Sequence, residues 1–334
     1  MNKSSIFYYN QTPVDNIDLS VPCVVGLSGM RSQTPKDMSE NFLNKIDMML
    51  RHIGVSANVC GNIHDLSMLN DNVAKVFNAV NTKLHLEQKN LFTFGFQFFV
   101  PGFFNRYVQS LFDIMILPRI VDKNGQPLPE EMAKDNLRKI VFFPYCYGMR
   151  AMLMLDKKLT EKLRELNYTP KQIKDIQKQL VFIVESPSSI FMDIKSTCVK
   201  FLSLADSTTF YKNLYSTGNN ITYYEKYGII SVPKMFKVST SFKQDREHHS
   251  WPMVARNSMT EQGRAMIDML DGAFYNALTL PRVDGVKSLV NVDGMDKSVS
   301  EKPMLKFLEK IPTRCAKNII FVSYSFVANH IKQR

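Results

Sequence analysis

The stretch Asn136 to Leu155, NLRKIVFFPYCYGMRAMLML, decides how the rest of the chain is read. Ile140 to Phe143 is a short apolar run of branched and aromatic side chains, the pattern of a buried strand. From Met149 onward the residues are strong helix formers. The change of period falls on Pro144-Tyr145-Cys146-Tyr147-Gly148, which predicts a strand, a tight turn and a helix with a cysteine at the apex of the turn.

Working outward, Val21 to Leu27 is the first firm strand, and it ends in Gly26-Leu27-Ser28-Gly29-Met30. After Pro35 the helix Met38 to His52 carries apolar positions at Phe42, Ile46, Met49 and Leu50, so strand, glycine-bearing loop and helix form one βα unit. Downstream, Thr169-Pro170 starts a helix with threonine as its N-cap and proline in the first turn. Gln179 to Glu185 (QLVFIVE), Thr197 to Ala205 (TCVKFLSLA), Gly228 to Val232 and Met235 to Phe242 read as strands, and Thr260 to Leu278 as a long amphipathic helix. Alternation of this kind predicts an α/β fold with a mostly parallel central sheet flanked by helices. Asp206 then stands just past a strand, at the carboxyl end of the sheet, where such folds bind ligands.

Other segments are read more coarsely. The chain to Asn16 is an edge strand or a loose arm, Asn62 to His85 a helical region, Lys123 to Pro127 a turn, and Glu130 to Leu137 a short helix. Leu91 to Leu117 concentrates phenylalanines around Gly95, Pro101 and Gly102. Packing into the core is their first use, and a cap over a site or a wall for an acyl chain is the second. The main domain is expected over residues 1–280, with 281–334 a C-terminal extension of linker plus edge strand.

The turn around Cys146 resembles the nucleophile elbow of the α/β-hydrolase superfamily, whose pattern is G-x-S-x-G. Gly148 matches the second glycine, and Cys146 stands where serine would. Cys146, Asp206 and the pair His248-His249 also follow the family's chain order of nucleophile, acid, histidine. The resemblance implies a cysteine-dependent acyl hydrolase or transferase acting on an ester, thioester or amide. Cys146 would be the nucleophile, His249 or His248 the base and Asp206 the group that orients it, with Glu185, Asp193 and Asp245 in reserve. The oxyanion would be stabilised by the backbone N–H of Tyr147 and by one from the loop Leu27, Ser28, Gly29.

Each assignment has a plainer counterpart. Cysteine is most often a buried small apolar residue, Asp206 before Ser207-Thr208-Thr209 could cap a helix, and Gly26 to Met30 could be an ordinary strand-to-helix turn. Pro144, Met149, Tyr145 and Tyr147 also bring bulk to a junction that normally uses small residues. The competing function is therefore a hydrolase-like interaction protein without turnover.

Composition bounds both readings. The formal net charge of +11 points to an acidic protein surface or an anionic membrane as a partner, but the lysines are scattered along helix faces and no nucleic-acid motif accompanies them. Cys23, Cys60, Cys146, Cys198 and Cys315 make an odd set with no CxxC pair, so neither a disulfide framework nor a zinc site is expected. His64 and His85 lack the partner that a helical metal site would show, and no cofactor motif is present. The first twenty residues lack the apolar core of a signal peptide, so a soluble, cytoplasmic protein is expected where it is made, with delivery into another cell as an effector equally compatible.

Overall fold

Ile140–Pro144 is a strand buried at every position, and the five residues of Cys23–Leu27 are likewise all buried. A strand covered on both faces has no solvent side to mark with polar residues, which is why both read as unbroken apolar runs. The computed structural model describes residues 6–27, 35–62, 101–146, 148–185, 194–203, 229–232, 261–280 and 289. They fall into two compact units, Met1–Leu180 and Val181–Arg334.

In the first unit, β1 (Ile6–Tyr8), β2 (Cys23–Leu27), β3 (Asn58–Asn62) and β4 (Ile140–Pro144) lie in the order β1-β3-β2-β4. β2 pairs in parallel with both β3 and β4, with Leu27 level with Asn62 on one side and Pro144 on the other. β1 is an antiparallel edge strand against β3, which settles the N-terminal segment as a strand. In the second unit β5 (Val181–Glu185), β6 (Thr197–Ser203) and β7 (Ile229–Val232) are parallel neighbours in chain order. The fold is α/β, and among the described pairings between named strands within the units only β1 with β3 is antiparallel.

One face of the first unit's sheet is covered by α1 (Pro35–Met38), a π turn (Ser39–Leu43) and α2 (Asn44–His52). Glycine makes that approach close: a Cβ at Gly26 would lie 2.8 Å from the Phe42 ring and 2.9 Å from Leu43, and one at Gly61 would lie 2.8 Å from Leu43. Phe42 in turn stacks on Phe143 of β4, with ring centroids 5.5 Å apart and planes 4° from parallel. Side chains alternate along a strand, so Cys23, Val25, Leu27, Cys60 and Asn62 point to the opposite face.

The remaining helices follow the sequence signals, except the first, which forms in the region read as an aromatic cluster with no helix assigned. α3 (Pro101–Leu111) runs through a second π turn (Phe112–Ile116) into a 3-10 turn (Leu117–Arg119), and Tyr107, Leu111, Phe112, Met115 and Ile116 are buried. Tyr107 and Phe112 of the aromatic region are thus core, while 91–100 lies outside the described residues. α4 (Glu130–Arg138) leads into β4, and α5 (Gly148–Glu165) is one continuous helix. α6 (Pro170–Gln177) begins in a capping box: Thr169 Oγ1 accepts from the Gln172 N–H at 3.3 Å, while the Thr169 N–H donates to Gln172 Oε1 at 2.9 Å. In the second unit α7 (Glu261–Thr279) packs on β5.

β3 is a strand that sequence reading missed. Asn58-Val59-Cys60-Gly61-Asn62 contains few strand formers, and Asn62 was expected to open a helix. The rest of that helical expectation, 63–85, lies outside the described residues, as do the strand 235–242 and all of 281–334 except Leu289.

Two glycines with opposite surroundings test this packing. Gly26→Val should lower the unfolding free energy by about 2 kcal/mol, because the added atoms meet Phe42 and Leu43. A Cβ at Gly272 in α7 meets nothing within 4 Å, so Gly272→Ala should raise it by about 0.5 kcal/mol. Urea unfolding of the two variants checks both signs.

Candidate functional site

Three residues, Tyr145, Cys146 and Tyr147, separate the end of β4 from the start of α5. The turn is tied to the neighbouring strand at one point, where the Tyr145 N–H donates to the Leu27 carbonyl at 2.9 Å. It then closes on itself, the Gly148 N–H donating to the Tyr145 carbonyl at 2.9 Å and the Met149 N–H to the Cys146 carbonyl at 3.4 Å. Gly148 has no room for a side chain: a Cβ there would lie 2.1 Å from the Leu27 carbonyl oxygen and 2.8 Å from its carbon. The N-terminus of α5 therefore rests directly on the backbone of β2.

A turn so short leaves Cys146 with φ of +52°, in the left-handed region. Among the described residues the other non-glycine positions with positive φ are Gln11 and Asn167, and asparagine tolerates this conformation where cysteine has no such help. Holding it costs on the order of 1–2 kcal/mol, which the contacts around the turn supply. The bulk that seemed to crowd the junction is accommodated: the Tyr145 ring lies 5.9 Å from Phe42, tilted by 40°, and Met149 is buried.

Cys146 is a free thiol, 6% exposed. Leu27 is described and fully buried, whereas Ser28, Gly29 and Tyr147 lie outside the described residues. So do Asp206, His248 and His249, and of the reserve acids Asp193 and Asp245. In chain order Asp206 follows β6, which ends at Ser203, and the histidines follow β7. Glu185, the last residue of β5, is fully buried. The structure thus describes the position expected to hold the nucleophile and, beside its turn, Leu27, while the acid and histidines expected to join it lie outside the described residues.

Four further polar side chains, those of Asn62, Arg119, Cys23 and Cys60, were given no site role by the sequence. Asn62 at the end of β3 is fully buried, and both its amide atoms lack hydrogen-bond partners. Arg119 is fully buried, and its Nε, Nη1 and Nη2 have no hydrogen-bond partners; Cys23 and Cys60 are buried as well, with their sulfurs 3.6 Å apart. The signal for Arg119 was a cation inside the apolar run Ile114 to Val121, whereas nothing in the sequence marked Cys23 and Cys60 as neighbours. Among the described residues no group of three or more His, Cys, Asp or Glu side chains could hold a metal ion, and no helix is long and apolar enough to cross a membrane.

Comparison with protein-family models, with curated proteins and with solved structures finds no match to this chain.

The turn makes a paired prediction. Gly148→Ala should cost more than about 2 kcal/mol, since the obstruction is backbone and cannot rotate away. Cys146→Gly should change stability by less than about 1 kcal/mol, because relief of the left-handed strain offsets the greater freedom of the unfolded chain. Equal losses in the two variants, measured by urea unfolding, would contradict the turn geometry.

Proposed function

We propose that the chain is a cysteine-dependent acyl hydrolase or transferase of the α/β-hydrolase type, with Cys146 as its nucleophile. The observation that carries this reading is the left-handed Cys146 at a three-residue strand-to-helix junction, with Gly148 packed against the adjacent parallel strand. Structural cysteines have no need of a strained backbone, whereas strain of this kind concentrates where a side chain must be presented in a fixed direction.

The chemistry follows from that presentation. The Cys146 thiolate attacks the acyl carbon, and the charge that develops on the carbonyl oxygen is met by the Tyr147 N–H and by one from the Leu27, Ser28, Gly29 segment. The bond from Tyr145 to Leu27 supports this pairing of donors, since it fixes the start of the elbow to the strand end from which that segment departs. His249 or His248 takes the thiol proton and returns it to the leaving group, and Asp206 holds the imidazole in its working tautomer. Water completes hydrolysis, or a second acceptor completes transfer.

The low exposure of Cys146 favours a second reading, an elbow retained without turnover in a basic interaction protein that binds an acidic protein or an anionic surface. A thiol-reactive acyl probe separates the two. Catalysis predicts that Cys146 is labelled at least about tenfold faster than Cys198, which has the same 6% exposure. Equal labelling favours the interaction protein.

Cys146→Ala should reduce turnover of an ester and thioester panel by a factor of about 1,000 or more while leaving the unfolding midpoint within the range of a surface substitution. Retained turnover in that variant rules out the mechanism.

A further inference from the structure

Asn62, Leu27 and Pro144 are the last residues of β3, β2 and β4, and Leu27 is level with Asn62 on one side and with Pro144 on the other. The three parallel strands therefore end in one row. The chain enters this row at β2, passes to β3 on one side and returns to β4 on the other. A parallel sheet binds its ligands outside the carboxyl ends of the strands where the order reverses in this way. Register neighbours share a face, so the Asn62 side chain points the same way as that of Leu27. α5 starts over that face, since a Cβ at Gly148 would lie 3.1 Å from the Leu27 Cβ.

Asn62 is fully buried, and among the described residues neither its Nδ2 nor its Oδ1 has a hydrogen-bond partner. Burying an amide with both polar atoms unpaired is costly, and an apolar side chain of similar size would avoid the cost. Strand propensity also disfavours asparagine. A residue opposed by burial and by propensity together is expected where function holds it. A group that satisfies Asn62 must offer an acceptor to Nδ2 and a donor to Oδ1 on one edge. A carboxylate offers acceptors only, and would leave Oδ1 facing negative charge. A trans secondary amide turns its N–H and C=O to opposite edges. A primary carboxamide or a lactam presents both on one edge.

We propose that Asn62 is a substrate-recognition residue of the Cys146 site, and that the acyl group carries a primary carboxamide or a lactam, which pairs with the Asn62 amide through two hydrogen bonds. The inference rests on the reading of Cys146 as the nucleophile. Two strand spacings, about 10 Å, separate Asn62 from Pro144, so the pairing falls a few bonds away from the acyl carbon. Asn62 thus selects the substrate and takes no part in making or breaking bonds. Away from water such a pair is strong. A substrate without the group leaves both amide atoms of Asn62 unpaired, which is how a polar site rejects an apolar analogue.

The test compares thioesters of succinamic, glutaramic and adipamic acids with those of the methyl ketones of equal length, in which a methyl group replaces the terminal amino group. The wild type should prefer the carboxamide at one of these lengths by at least about thirtyfold in kcat/KM, and Asn62→Val and Asn62→Ala should bring the ratio to about one. Both variants should also resist urea at least as well as the wild type, because they remove unpaired polar atoms. An amide paired within the fold, or through a buried water, gives the opposite sign. Where one variant does not fold, the other decides. Calorimetry with Cys146→Ala, which lacks the thiol, separates this proposal from the nucleophile reading: the preferred carboxamide should bind at least about thirtyfold more tightly than its ketone. That preference in binding, with no turnover by the wild type, would remove the nucleophile and keep the recognition residue. Loss of stability in both Asn62 variants, or equal treatment of carboxamide and ketone at every length in both measurements, overturns the proposal.

Discussion

The contact between Gly148 and the Leu27 carbonyl governs the geometry of the first unit. β2 and β4 are in register, so β4 ends level with Leu27, and α5 must begin within four residues while packing back over the same strand. Only a residue without a side chain lets the helix start that close, and the Tyr145 N–H occupies the same carbonyl from the turn side. With both ends pinned to one peptide group, the intervening chain cannot relax. The left-handed conformation of Cys146 is a consequence of that pinning, a local cost carried by the packing of helix on strand.

The legible parts of this arrangement were those written in hydrophobic period and capping chemistry. Ile140 to Phe143 and Val181 to Val184 are apolar throughout because both faces are covered, and Thr169-Pro170 announced a helix start that the capping box realises. β3 was illegible for a definite reason. Its Gly61 answers Leu43 and its Asn62 is a buried amide, so two of its five residues were chosen by their surroundings and contradict strand propensity. At the turn between β4 and α5, the sequence placed the cysteine and the glycine but not their contact with Leu27, because register between strands far apart in sequence leaves no local trace.

Covering both faces also explains the π turn. Phe42 and Leu43 are adjacent in sequence, yet both reach the sheet, over Gly26 and Gly61, and Phe42 continues onto Phe143 and Tyr145. An apolar helix face is thereby connected through one ring to the strand that carries the elbow and to the first residue of its turn. The large side chain at Tyr145 is compatible with a tight junction because its ring is directed to this stack on Phe42.

The described cysteines of the first unit differ in backbone and in surroundings. Cys23 and Cys60 lie in regular strands, where nothing about the main chain is unusual, and what distinguishes them is each other, their buried sulfurs lying 3.6 Å apart. Cys146 has the reverse description, with an unusual backbone and no described side-chain partner to its thiol. Backbone strain fixes the direction in which Cys146 leaves the turn, and the attack proposed for it, on a carbon held in one orientation, would draw on that direction, since alignment of reacting atoms is where rigid presentation lowers a barrier.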